Sequence, residues 1–337
     1  MDRAAVIDAS PPSASPAPLR TSPRPRCLLC GAPGDVLHAA VADHIFHVQG
    51  RWSLKRCTQP RCGLVWQDPM LVAEDIGRAY DRYYTSAPTD GSGADARKRN
   101  GATFRRLDRW ASRLLKLDAE RRRHAAAYLD DTPPGTLLDV GCGTGAYAAA
   151  MQARGWTVRG SEFDPQAART ARTRHGIEVD LGELAAIAYP DRAFDAITVR
   201  HVLEHVQEPI GFLAECWRIL RPGGRLVIVT PNVDSLGHRH FGERWRGLEQ
   251  PRHLFLYRGA SLRALFGRIG VDSVEIFTSA QGSDYVLRAS WMSSQGARRQ
   301  IVDYLAIWRL QFEEVAGTRR GRDVGEELVA VAIKAAT

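Results

Sequence analysis

The chain has 337 residues, 44% of them hydrophobic and 25% charged, with a formal net charge of +8. That length suits one large domain with its own core plus a small satellite. There is no apolar run of about 18 residues and no apolar segment behind Asp2 and Arg3, so a soluble cytoplasmic protein is expected, without a membrane span. The charge comes almost wholly from arginine, since lysine occurs only at Lys55, Lys98, Lys116 and Lys334; it permits anionic partners without requiring them.

Residues 1–25 are rich in Pro, Ser and Ala and read as a disordered tail. Residues 26–70 follow as a compact module with short strands at 39–48, 52–56 and 63–67, too small to hold a core without a staple. Its cysteines supply one. Cys27-Leu-Leu-Cys30 and Cys57-Thr-Gln-Pro-Arg-Cys62 form two knuckles, each followed by glycine, and four thiolates on paired turns make a closed structural zinc site. Buried cysteines brought together by chance are the alternative. Residues 71–132 read as a helical linker region, with Phe104, Leu107, Trp110, Leu114 and Leu117 on one face and a loop at 87–101.

From 133 to 337 apolar strands alternate with helices, the pattern of a parallel sheet covered on both faces. Seven strands are expected, at 136–140, 157–163, 177–181, 194–200, 225–230, 272–278 and 328–334, with helices at 145–154, 165–175, 210–220 and 261–270. The result is an α/β fold, a seven-strand doubly wound Rossmann-like sheet behind the small N-terminal module. A helical insertion at 288–318 carries Trp291, Tyr304, Trp308 and Phe312, which suit a core, a homodimer face or a wall around a substrate.

The first strand of this domain runs from Asp139 into Gly141-Cys142-Gly143-Thr144-Gly145, and a helix follows at once. Glycines there let the backbone turn sharply and approach a ligand, which a Cβ would prevent. Asp139 would repel a pyrophosphate but could accept from the loop or from a ligand ammonium. Glu162, at the end of the second strand, stands where an acid takes both hydroxyls of a ribose.

Five motifs in order, the Asp139 to Gly145 loop, Glu162, Phe194-Asp195, His201-Val-Leu-Glu-His205 and Leu220-Arg-Pro-Gly-Gly224, resemble class I S-adenosylmethionine-dependent methyltransferases over residues 133–335. The resemblance implies that Asp139, Gly141, Gly143 and Gly145 surround the methionine part and ribose of S-adenosylmethionine, that Phe163 stacks beside the adenine, and that Glu183 contacts the base amine. The module ahead, with Cys62-Gly-Leu-Val-Trp66 and the tyrosines from Tyr80 to Tyr84, is similar to zinc-binding leaders of methyltransferases that modify sugars and other natural products.

On the acceptor side, an oxygen nucleophile must lose a proton, and a histidine or a metal can arrange that. His253, on a long aromatic and charged loop, is the first candidate for general base, with His201 next. His201-x-x-Glu204-His205 also resembles the Glu-x-x-Glu-His element by which small-RNA and ubiquinone-pathway O-methyltransferases hold magnesium, with His253 where the RNA enzymes complete the site. Here a histidine replaces the first glutamate, so a second divalent metal on His201, Glu204, His205 and His253 would be softer than magnesium. Glu204 and His205 could instead only brace their loop.

The expected function is methyl transfer to oxygen on a small or carrier-linked molecule, such as a sugar or natural-product intermediate. Three other readings are an RNA methyltransferase, a non-catalytic zinc-anchored binding protein and a nicotinamide-dependent oxidoreductase, the last of which needs a second mononucleotide half that the sequence after the fifth strand does not offer. Nucleic acid is the less favoured partner, because the arginines between Arg97 and Arg123 alternate with apolar positions as a solvated helix face does.

Overall fold

The computed structural model describes residues 17–80, 117–295 and 301–336. Thirteen strands occur among them in chain order. Strands β1 (Thr21–Ser22), β2 (Gly34–Val41), β3 (Trp52–Cys57), β4 (Val65–Gln67) and β5 (Met70–Leu71) belong to the N-terminal part. Strands β6 (Thr136–Val140), β7 (Thr157–Glu162), β8 (Glu178–Leu181), β9 (Phe194–Arg200) and β10 (Leu220–Pro231) follow, then β11 (Phe255–Leu256), β12 (Val274–Ser279) and β13 (Glu327–Ile333).

Seven of these make the main sheet, in the order β12-β13-β10-β9-β6-β7-β8. The five strands from β6 to β10 run parallel, and β13 enters antiparallel between β10 and β12. Alternate residues of one strand join different cores, as a two-fold side-chain period requires. Leu138 and Val140 of β6 pack with the helices Pro209–Ile219 and Gly259–Gly267 on one face, while Leu137 packs with Ala148 and Met151 of the helix Ala146–Gln152 and with Ala168 and Ala171 of Pro165–His175 on the other. The seven expected strands and four expected helices are all present, with ends moved by a few residues. The exception in kind is β10, which starts at Leu220 opposite Phe194 and carries an irregularity before pairing resumes at Arg225, so the Arg-Pro-Gly-Gly turn lies inside the strand. Two helices, Ser283–Gln295 and Ile301–Arg319, occupy the expected insertion.

The N-terminal part departs further from expectation. Its four-stranded sheet has the order β11-β4-β3-β2, so the edge strand Phe255–Leu256 comes from the far side of the main domain. Leu64, Trp66, Met70 and Leu71 lie in the same apolar core as β9 and β10, and Leu54 and Val65 pack with Val233, Trp245, Leu248 and Leu256. The module is therefore not a satellite with a private core. Residues 17–25 are not a free tail either: Thr21 and Ser22 pair with Leu71 and Met70, and the Arg20 guanidinium donates to Asp75 Oδ1 at 2.9 Å. The strand expected at 39–48 ends at Val41, because Asp43 Oδ1 accepts from the amides of Ile45 and Phe46, both at 3.0 Å, and turns the chain. Most of the helical linker region, 81–116, lies outside the described residues, and the helices Ile76–Ala79 and Leu117–Ala125 flank it.

Candidate functional site

The carboxyl edge of the parallel strands gathers the cofactor candidates. Gly141, Gly143 and Gly145 all adopt left-handed backbone, with φ of +66°, +54° and +82°, which explains the glycines. A Cβ on Gly145 would come within 2.8 Å of Ala171 Cβ, the close approach of loop and neighbouring helix. A Cβ on Gly143 would meet no described residue within 4 Å, so among the described residues this glycine faces open space.

Glu162 is buried at the same edge, and its carboxylate is fixed by backbone: Oε2 accepts from Gly143 N at 2.8 Å, and Oε1 from the amides of Phe163 and Asp164 at 2.9 and 3.0 Å. Burial pushes its pKa up and the three amides oppose the shift. A carboxylate has about four acceptor directions, so with three taken this one retains about one for a ligand hydroxyl. The Phe163 ring is 50% exposed beside it, edge-on to Tyr80 with centroids 5.5 Å apart. Asp139 sits beneath the loop, buried, with Oδ1 accepting from Thr198 Oγ1 at 3.0 Å; burial raises its pKa to about 7. Glu183 lies just past β8 with an exposed side chain, and its carbonyl accepts from Ala186 and Ile187. Glycine cradle, fixed acid and half-exposed ring fit a nucleoside.

The acceptor candidates lie past β9 and β10. His201 has a φ of +54°, and its half-exposed ring stands between two carboxylates, Nε2 at 3.1 Å from Glu327 Oε1 and Nδ1 at 3.5 Å from Glu204 Oε1. Burial pulls its pKa down, but Glu204 and Glu327 outweigh it and raise the value to about 10. His253 is the opposite case. It is buried, and burial lowers its pKa to about 4, so its imidazole is neutral.

Glu204, His205 and His253 bring one ligand atom each to within 4.8 Å of one another. His253 Nδ1 lies 2.7 Å from Gly247 O, so that ring donates from Nδ1, while His205 Nδ1 lies 3.0 Å from Arg252 O and 2.8 Å from the Tyr80 hydroxyl. Glu204 Oε2 accepts from Thr230 Oγ1 at 2.8 Å, whereas Oε1 is buried with no hydrogen bond among the described residues and the His201 ring 3.5 Å away. Two imidazoles and one carboxylate suit a divalent ion. His201, expected as a fourth ligand, is not in this group; it stands between Glu204 and Glu327.

In the N-terminal part all four expected cysteines meet, with Cys27 Sγ 3.6 Å from Cys62 Sγ, Cys30 Sγ 3.4 Å from Cys57 Sγ, and the whole set within 4.8 Å. The Cys62 thiol beside it holds Cys27 well below the usual thiol range, at about 5. Such spacing suits four thiolates around one tetrahedral ion with bonds of about 2.3 Å.

Sequence reasoning missed several residues of the acceptor side. Glu327 reaches the site because β13 runs antiparallel, which puts its first residue opposite Pro231 at the carboxyl end of β10. There it also accepts from His124 Nε2 at 2.9 Å. An acidic pair, Glu326-Glu327, opening an apolar strand was the available signal. Arg252 is buried between Asp43, at 2.9 Å, and Glu249, at 3.2 Å; Glu249 is three residues before it, but nothing in its local sequence announced Asp43.

A family model described as "Methyltransferase domain" matches residues 102–276, just over half of the chain. Among curated relatives, a demethylmenaquinone methyltransferase of Deinococcus radiodurans is 38% identical over 127 residues, covering 35% of this chain and 53% of that protein. A probable S-adenosylmethionine-dependent methyltransferase of Mycolicibacterium smegmatis is 27% identical over 217 residues, covering 59% of this chain and 81% of that protein. A ubiquinone biosynthesis O-methyltransferase of Pseudomonas putida is 36% identical over 102 residues, covering 28% and 44%. The chain thus spans about half the length of the demethylmenaquinone and ubiquinone relatives it matches. With strand order, glycine loop and family match in agreement, the chain belongs to the S-adenosylmethionine-dependent methyltransferase family.

Proposed function

We propose that this protein moves the methyl group of S-adenosylmethionine to an oxygen of a small or carrier-linked acceptor. The observation that carries the reading is the meeting of Glu162 with the open side of Gly143: an acid for the ribose hydroxyls beside a backbone cradle without a Cβ. The acceptor oxygen forms its bond to the methyl carbon as the carbon–sulfur bond breaks, leaving a neutral thioether, and the hydroxyl proton passes to a base. In-line positioning supplies much of the acceleration. His253 suits the base, being neutral, with Nε2 3.7 Å from Glu249 Oε2; His201, flanked by two carboxylates, suits a charged donor that orients the acceptor.

The cluster of Glu204, His205 and His253 favours a second reading of the same residues, in which they hold a divalent ion. With two imidazole donors the ion would be softer than magnesium, and when bound it would lower the pKa of an acceptor hydroxyl. The four cysteines would hold a structural zinc. Relatives named for demethylmenaquinone and ubiquinone pathways place hydroxylated rings beside sugars in the first acceptor panel.

Titration calorimetry with S-adenosylhomocysteine tests the cofactor reading: the wild type binds, and Glu162→Gln weakens binding by about tenfold or more. A wild type that ignores the nucleoside refutes it. Metal analysis of the purified protein, with turnover of His253→Ala before and after chelation, separates base from ligand. Chelator-insensitive turnover lost in His253→Ala marks the base.

A further inference from the structure

Arg200 closes β9, whose neighbour β6 leads into the glycine loop; Val199 pairs with Val140 one residue earlier. It therefore stands at the same edge as the loop. Its guanidinium lies over the ring of Tyr147, with Cζ 4.4 Å from the centroid. Tyr147 is the second residue of the helix that springs from Gly145. Arg200 Nε and the Tyr147 hydroxyl are both shut off from solvent, and neither has a hydrogen-bond partner among the described residues. Asp139 lies close enough to be influenced by the Arg200 charge, yet its Oδ1 is taken by Thr198 and no ion pair forms between the two.

A partly buried guanidinium with an unsatisfied Nε–H is costly unless an acceptor arrives. The acceptor that matches a planar fork of donors is a carboxylate. S-adenosylmethionine carries one carboxylate, on its methionyl arm. If Glu162 takes the ribose, that arm must run toward the glycine loop and β9, where Arg200 waits. We infer that Arg200, steadied by stacking on Tyr147, binds the carboxylate of the cofactor's methionyl arm, with the Tyr147 hydroxyl as a second donor at that end. The inference rests on the cofactor reading above and extends it to a residue that none of the five sequence motifs marks for that role.

Calorimetry on the full chain, with two nucleosides as probes, tests it. S-adenosylhomocysteine has the amino-acid carboxylate and 5′-methylthioadenosine lacks it. Arg200→Met keeps a side chain over Tyr147 and removes the charge; it is expected to weaken S-adenosylhomocysteine by about 10- to 100-fold and to leave 5′-methylthioadenosine within about twofold. Arg200→Lys, which restores a point charge without the fork, is expected to fall between wild type and Arg200→Met, and serves if Arg200→Met does not fold. Unchanged S-adenosylhomocysteine affinity in both variants, or equal losses for both nucleosides, overturns the assignment while leaving the cofactor reading intact. A wild type that binds neither nucleoside overturns the reading and this inference together.

Discussion

A Cβ at Gly141 would come within 2.4 Å of Val202 Cγ2, whereas one at Gly143 would meet no described residue within 4 Å. The two glycines share a left-handed backbone, so alanine costs each about 1 kcal/mol of conformational strain, but only the first adds a collision. Gly141→Ala is expected to be the less stable variant, and Val202→Ala in the same chain should restore part of the loss in a thermal melt. Gly143→Ala is expected to melt within a few degrees of the wild type and yet bind S-adenosylhomocysteine at least tenfold more weakly, since its methyl group enters the cradle. If Gly143→Ala binds normally, the ligand does not lie where the open space is. The same scale separates the two histidine candidates, which the sequence presents alike. Only the folded surroundings separate them: two carboxylates around His201 set it as a cation, and burial sets His253 as a neutral ring.

The helix Ile301–Arg319 is held to the main domain by a pair of buried acids. Glu314 Oε1 accepts from the Glu326 amide at 2.7 Å, and Glu326 accepts from Gly237 N at 2.8 Å and from Trp245 Nε1 at 2.7 Å. Burial raises both acids, Glu326 from 4.5 to about 7, with Glu327 close by adding to the effect. Because the folded chain holds these protons more tightly than the unfolded one, stability falls as pH rises across the interval from 4.5 to about 7. Glu314→Gln keeps the acceptor for the Glu326 amide and removes one charge. The variant should melt about 2 °C or more above the wild type at pH 8 and show no gain at pH 5; a gain independent of pH would mean that the acids do not titrate as a pair.

At this scale the sequence was most legible in the main sheet, where strands such as Leu137 to Val140 are apolar on both faces and bounded by glycine or proline. It was least legible where long-range contacts decide. No strand is expected at Phe255 and Leu256, and they become one only because Val65 and Trp66 are there to pair with them. The glycine loop and Glu162 could be named in advance because their spacing is local. Glu327 and the pairing of Arg252 with Asp43 could not, since their partners are 126 and 209 residues away in sequence.

For the whole molecule, the cysteine cluster and the acceptor side are mechanically joined. Cys57 ends β3, which pairs with β4, which pairs with Phe255–Leu256, two residues beyond His253. Removing a structural zinc should therefore reach the acceptor side. Treatment with a thiol-competent chelator, or Cys30→Ser, is expected to release about one zinc per chain, lower the melting midpoint by about 5–10 °C and reduce turnover more than it reduces S-adenosylhomocysteine binding. Release of zinc with unchanged turnover would show the module to be independent of the site.

The fully buried pair of Arg252 and Asp43 carries that coupling one step further. Taking away a single member of such a pair strands a charge in the interior and is far more damaging than replacing both. Any attempt to trim the leader, or to graft one from a relative to broaden the acceptor range, must therefore transplant the aspartate with it or neutralise the arginine; otherwise Arg252 keeps Glu249 but loses Asp43, one residue before His253.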